Sequence, residues 1–288
     1  MKHSLKQALD KNKPLILPIA HDALTARIIE EAGFDAYSIG GLPMIASRYA
    51  MPDIGIVSFG EMVEGVRDIM RGSDLPVLVD ADEGYGDVKS VTRTVQTYEA
   101  MGVAGISLED QTSPKRCGHM QGKSVVSIEV ASRKLSAALA ARKNPDFLIQ
   151  ARIDSRSVYG LEDAIHRAEI FADLGADILF IEAPQSREEI ELIPRQLRDR
   201  VPLAINMSTL GVTPYVSPPE LANLGYSLIV CPGAILVNTI QAIKDTVQLL
   251  KEGKLLEAEE GASLSAVHDL VRIGRWQKID ESFGDDPA

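Results

Sequence analysis

The chain has 288 residues, 45% apolar and 25% charged, the proportions of a soluble globular protein long enough to bury a core without disulfides. A formal net charge of −11 argues against nucleic acid or an anionic membrane as partner, and leaves an anionic small molecule open wherever the local charge is basic. The cysteines Cys117 and Cys231 make neither a disulfide framework nor a zinc signature, the start Met1-Lys2-His3-Ser4-Leu5 lacks a signal-peptide core, and no apolar run reaches membrane-span length, so the expectation is a cytoplasmic protein.

Short apolar runs recur along the chain, each closed by a polar turn and followed by a segment of helical period. In order they are Leu15–Ile19, Ala36–Ile39 ending in Gly40-Gly41, Val77–Val79 ending in Asp80-Ala81-Asp82, and Gly105–Leu108 ending in Glu109-Asp110. Then come Phe147–Ala151 ending in Arg152, Ile178–Ile181 ending in Glu182, Leu203–Ile205 ending in Asn206, and Leu228–Cys231 ending in Pro232-Gly233. Helices are expected at Ala23–Ala32 with Gly33 as C-cap, after Asp87 as N-cap, and at Glu129–Arg142, Leu161–Leu174 and Ile235–Leu250. Eight such alternations without a linker or composition break point to α/β architecture, a single (β/α)₈ barrel domain over residues 1–288. Beyond the eighth unit, Glu257–Trp276 adds helical pattern, an extension over about 256–279 suited to packing on another subunit, and Asp280–Ala288 reads as a frayed tail.

Active sites of such barrels lie at the C-terminal ends of the strands. Here those ends carry Gly40, Gly41, Asp80, Asp82, Glu109, Arg152, Glu182 and Asn206. Three carboxylates from adjacent strand ends repel one another and take up protons unless a cation joins them, and oxygen-only ligands suit Mg²⁺ or Mn²⁺. Arg152 offers a fork for a carboxylate; its alternative is a structural salt bridge with Glu182 or Asp154. Asp53 on its own reads as a turn or capping residue, and Cys231 as a buried small apolar one. The segment Gln111–Lys123 holds Lys115-Arg116-Cys117-Gly118-His119, a cysteine flanked by cations that favour its thiolate and let it trade a proton near neutral pH.

Asp80-Ala81-Asp82-Glu83-Gly84-Tyr85-Gly86, Leu108-Glu109-Asp110-Gln111, Pro114-Lys115-Arg116-Cys117-Gly118-His119 and Ala151-Arg152-Ile153-Asp154 together resemble the isocitrate lyase / phosphoenolpyruvate mutase superfamily, over about Leu15 to Gly253. The lid cysteine resembles that of its carbon–carbon lyases, among which methylisocitrate lyases, 2,3-dimethylmalate lyase and the petal-death type are of similar length, and the segment Phe180-Ile181-Glu182-Ala183-Pro184 is more similar to the dimethylmalate lyase and petal-death group. The resemblance implies a (β/α)₈ barrel, Mg²⁺, and a di- or tricarboxylate ligand of 2-oxo or 2-hydroxy type. It also implies a homodimer or homotetramer that exchanges a C-terminal helix. It assigns Asp80, Asp82 and Glu109 to the metal, and Gly40, Gly41 and Leu42 to a backbone cradle for substrate carboxylate with Arg152 opposite. Arg116, Gly118, Glu182 and Asn206 join the substrate site. Asp53, Lys115, Cys117 and His119 are the implied catalytic group, with Gln111–Lys123 as a gating lid. The implied reaction is a retro-aldol cleavage of a 2-hydroxy acid, with Cys117 protonating the departing carbanion. Three positions depart from the family: Gly40 where Ser is usual, Thr209 where many lyases have Glu, and Glu83 where a small or hydroxyl residue is commoner. The alternatives on the same site are a phosphonomutase, an oxaloacetate hydrolase or decarboxylase, and an inactive carboxylate-binding barrel.

Overall fold

The computed structural model describes residues 4–118, 120–208, 211–254 and 262–284. Strand and helix alternate as the periodicity predicts. A leading helix α1 (Leu5–Lys11) precedes β1 (Leu15–Pro18), α2 (Ala23–Glu31), β2 (Tyr37–Ile39), α3 (Gly41–Tyr49), α4 (Phe59–Met70), β3 (Val77–Asp80), α5 (Val88–Ala100) and β4 (Gly105–Glu109). The chain continues through α6 (Ile128–Ala141), β5 (Leu148–Ile153), α7 (Arg156–Tyr159), α8 (Leu161–Leu174), β6 (Ile178–Ile181), α9 (Arg187–Leu197), β7 (Leu203–Asn206), α10 (Pro218–Leu224), β8 (Leu228–Cys231) and α11 (Ala234–Lys251). Two helices, α12 (Leu264–Leu270) and α13 (Ile273–Phe283), end it.

All strand pairs are parallel, in the order β1-β8-β7-β6-β5-β4-β3-β2, and a parallel bridge between Ile19 and Ser38 joins the two ends of the sheet. This is the (β/α)₈ barrel. Because side chains alternate along a strand, each strand serves two cores. Leu15, Leu17, Leu78, Leu148, Ile178, Phe180 and Leu228 fill the interior together with Leu5 and Leu9 of α1. Val77, Val79, Ile106, Ile149, Leu179 and Ile205 face the surrounding helices. Local chemistry sets the helix starts. The Asp22 carboxylate accepts from Thr25 N at 2.7 Å, Ser58 and Glu61 cap α4 reciprocally, and Asp87 caps α5 through the Lys89 and Ser90 amides.

Some boundaries move. Strand β5 runs on to Ile153, so Arg152 lies within it rather than after it. Cys231, expected to be buried, is half-buried, because it ends β8 at the open rim of the barrel. The chain divides into two compact units, residues 1–235 and 236–288. The C-terminal pattern is two helices rather than one, broken at Arg272, whose φ of +57° is left-handed. Asp280, expected in a frayed tail, lies inside α13. No helix among the described residues is long and apolar enough to cross a membrane.

Ile106, fully buried between β4 and the outer helices, gauges the packing of this layer. Ile106→Ala is expected to cost about 2–5 kcal/mol. Chemical denaturation checks this, and a loss below about 1 kcal/mol contradicts tight packing there.

Candidate active site

The polar strand ends converge on the C-terminal mouth of the barrel. The turn after β3 is held in an unusual conformation: Asp82 and Tyr85 both have left-handed backbones, φ +47° and +58°, alongside Gly84 and Gly86. A bend of that kind persists only where its surroundings enforce it. Here the Asp82 amide donates to Asp80 Oδ1 at 3.2 Å, and Tyr85 packs on Phe59 with ring centroids 4.9 Å apart. The bend turns the Asp82 carboxylate inward, where it is almost fully buried.

Lys115 reaches down from the 111–125 segment into these acids. Its ammonium pairs with Asp53 and lies 2.7 Å from Asp82 Oδ1. Burial works against the Lys115 charge, but Asp82, Asp80, Asp53 and Glu109 outweigh it and raise its pKa. Lys115 is therefore a fixed cation rather than a base. Asp82 is pushed up to about 7, first by burial and then by Asp80 and Asp53, with Lys115 opposing. Asp53 also lies against the start of α3: a Cβ on Gly41 would sit 3.1 Å from its carboxylate, so a side chain there would press on Asp53. Gly40 caps α3 without a side chain, and the amides of Gly41 and Leu42 open the helix, a setting that suits an anion.

On the opposite side Arg152 is held by Asp154, with Nε at 2.8 Å from Oδ2, and lies 3.3 Å from Glu109, 3.8 Å from Glu182 and 3.9 Å from Asp80. The structural salt-bridge reading of Arg152 is thus realised. Glu182 accepts from Asn206 Nδ2 at 3.0 Å. Burial raises the Glu109 pKa, with Arg152 opposing. Burial would raise Asp154 as well, but Arg152 and Lys123 outweigh it and hold the carboxyl below its ordinary value.

The 111–125 segment is folded over this mouth. Gln111 and Val125 form an antiparallel bridge at its base, and the Gln111 amide side chain exchanges hydrogen bonds with the Arg116 backbone at 2.9 and 3.0 Å. At the tip, a Cβ on Gly118 would lie 2.5 Å from Arg152 Nη2 and 2.8 Å from the Glu182 carboxyl. Half-buried Cys117, which is in no disulfide, therefore precedes a residue in direct contact with the buried acids and Arg152. The cations beside it in sequence are partly engaged elsewhere: Lys115 with Asp53 and Asp82, and exposed Arg116 with the Gln121 carbonyl at 3.1 Å. His119 and Thr209 lie outside the described residues.

Asp80, Asp82 and Glu109 do not form a ready-made cage. Among the described residues no three His, Cys, Asp or Glu side chains are grouped as a metal site, because Lys115 and Arg152 stand among them. The donors still fit a hard cation. Glu109 Oε1 is buried without a hydrogen-bond partner among the described residues, and Asp82 Oδ1 faces the Lys115 ammonium. Mg²⁺ takes one or two carboxylates and completes its octahedron with water and substrate.

Two side chains of this assembly carry more than the sequence reading gave them. Lys123 binds Asp154 at 2.6 Å, and Asp110 receives the Asp154 amide at 2.7 Å while pairing with Arg167 at 3.1 Å. Their signal in sequence is thin, since a lysine closing a polar loop and a second acid after a strand are both common on surfaces.

A family model described as phosphoenolpyruvate phosphomutase matches residues 5–251. The chain belongs to the phosphoenolpyruvate phosphomutase family. It is 36% identical to the 2,3-dimethylmalate lyase of Eubacterium barkeri over 283 residues, 97% of this chain and 96% of that one. It is 39% identical to the probable 2-methylisocitrate lyase 1 of Corynebacterium glutamicum over 286 residues, 97% of this chain and 92% of that one. Among solved structures, oxaloacetate acetylhydrolase in complex with the inhibitor 3,3-difluorooxalacetate superposes with a TM-score of 0.92 at 29% identity, covering 99% of this chain and 97% of that one.

The buried charges give this family member a pH signature. A carboxyl held below its ordinary value contributes stability above that value and loses it as the pH falls through the lower, folded-state one. Asp154→Asn, which leaves Arg152 and Lys123 undercompensated, is expected to cost about 3–5 kcal/mol near neutral pH. The gap from the parent should close below pH 3.8, the ordinary value. Denaturation midpoints across pH measure it; a pH-independent gap contradicts it.

Proposed function

We propose that this protein is a Mg²⁺-dependent carbon–carbon lyase that cleaves a 2-alkylmalate or 2-methylisocitrate-like 2-hydroxy acid to pyruvate or a related 2-oxo acid plus a carboxylic acid. The enzyme class is that of its relatives named lyases. The observation that carries the reading is the closed segment that sets Cys117 beside Gly118, which itself lies against Arg152 and Glu182.

The substrate's 2-carboxylate is received by the backbone at Gly40, Gly41 and Leu42, where the start of α3 favours negative charge. Asp80, Asp82 and Glu109 would hold Mg²⁺, with waters completing its shell. When bound, the ion supplies Lewis-acid polarisation of the substrate's 2-oxygens. Lys115, kept charged by its acids, neutralises this rim and fixes Asp53 and Asp82. Arg152, Glu182 and Asn206 form the opposite wall and orient substrate oxygens.

Chemistry begins with removal of the 2-hydroxyl proton by a carboxylate of this acidic rim, with Asp53 the residue assigned to it. The C2–C3 bond breaks, the new C2 carbonyl becomes the 2-oxo acid, and the bonding pair stays on C3 as an enolate-type carbanion. Cys117 gives its thiol proton to C3 and becomes a thiolate, which the basic residues around it in sequence favour. The folded segment keeps water from competing for the carbanion.

We extend the reading to assembly as a homodimer or homotetramer with exchanged C-terminal helices. The support is the apolar surface of the second unit, where Leu264, Val271, Trp276 and Phe283 are half exposed or more. Light scattering should give the mass of two or four chains, and a monomer at assay concentration contradicts it.

Cys117→Ser should lower kcat by about 10²–10⁴-fold, the contribution of a positioned general acid, with KM little changed. Steady-state pyruvate release measures this, and unchanged turnover removes Cys117 from the acid's role.

A further inference from the structure

The segment that carries Cys117 is fixed to the barrel by a lysine beyond the lid motif. The Lys123 ammonium is buried and makes two short contacts. It donates to the Gly118 carbonyl at 2.6 Å and to Asp154 Oδ1 at 2.6 Å, with both charged side chains at 1% exposure or less. Asp154 follows β5 and is itself held from three directions: by Lys123, by Arg152 Nε at 2.8 Å, and through its amide by Asp110 Oδ1 at 2.7 Å. Gly118 thus meets the barrel on both sides, its carbonyl on Lys123 and its Cα against Arg152 and Glu182.

We propose that Lys123 is a positioning residue, a clamp that ties the Gly118 carbonyl to Asp154 and so sets where Cys117 sits over the mouth. Three physical points carry this. A buried ammonium is tolerable only when paired and hydrogen-bonded, and its paired acceptor is on the rigid barrel while the second is on the segment. The segment is also held at its base, around Gln111, Thr112 and Ser124, and by Lys115 on Asp53 and Asp82 before the cysteine; Lys123 supplies the tie to the barrel after it. The clamped carbonyl belongs to the residue immediately after the cysteine, so a shift of Gly118 is a shift of Cys117. The role deepens the lyase reading and rests on it for its catalytic consequence, while the clamp itself is a property of the folded chain.

The test uses Lys123→Met and Lys123→Gln in the full-length protein on a Cys231→Ser background, so that Cys117 is the remaining thiol. The first readout needs no substrate: the rate of iodoacetamide alkylation of Cys117. Loss of the clamp should speed alkylation several-fold in Lys123→Met, and less in Lys123→Gln, whose amide can still donate to the Gly118 carbonyl. The second readout is kinetic. Lys123→Met should lower kcat by about 10²-fold, the scale of a misplacement of about 1 Å, with a much smaller change in KM. If Lys123→Met fails to fold, Lys123→Gln carries both readouts. Alkylation and kcat equal to the parent's in a folded variant overturn the proposal. Faster alkylation in a protein whose parent shows no lyase activity upholds the clamp and counts against the lyase reading alone.

Discussion

Carboxylates buried at the ends of parallel strands cannot stand without cations, and this barrel draws its cations from its own 111–125 segment, from β5 and from α8. Removing several charges from water costs several kcal/mol each unless close partners compensate. At this mouth Asp53 and Asp82 are answered by Lys115, Glu109 and Asp154 by Arg152, Asp154 again by Lys123, and Asp110 by Arg167. Two of these cations, Lys115 and Lys123, lie on the same segment, one on each side of Cys117. Each places a positive charge among the acids of the rim.

Burial and its acidic neighbours raise the Asp82 carboxyl above its ordinary value, and Lys115 opposes them. An arriving dicarboxylate brings further negative charge, and a divalent cation at the same acids brings the compensation. Glu109 Oε1 is buried without a hydrogen-bond partner among the described residues.

Most of the architecture was legible in the residues. The eight apolar runs became the eight strands, and Leu161–Leu174 is a helix at the same bounds as its periodicity. The strand-end acids were legible as well, since nothing in a buried strand calls for Asp80, Glu109 or Glu182. The pairings among them were not. Whether Arg152 faces a ligand or Asp154 depends on a side chain two residues on in the same chain, and only the barrel's curvature decides it. The reach of Lys115 back to Asp53, and of Lys123 to Asp154, are contacts 62 and 31 residues apart in numbering that no local pattern encodes. The C-terminal break at Arg272 was hidden for a different reason: apolar spacing continues across it, and a single left-handed residue leaves no trace in periodicity.

The reaction itself is the central claim, and the most direct test is pyruvate release coupled to lactate dehydrogenase with Mg²⁺ present. The panel is 2,3-dimethylmalate, 2-methylisocitrate, other 2-alkylmalates and isocitrate, with glyoxylate detected separately for the last, EDTA controls, and a pyruvate spike to validate the coupling. Metal-dependent pyruvate release from one of the alkylated acids, lost in EDTA and restored by Mg²⁺, is the expected result. Silence across the panel from folded protein, together with isomerisation of phosphonopyruvate followed by phosphorus NMR, would contradict the lyase and make this barrel a phosphonomutase.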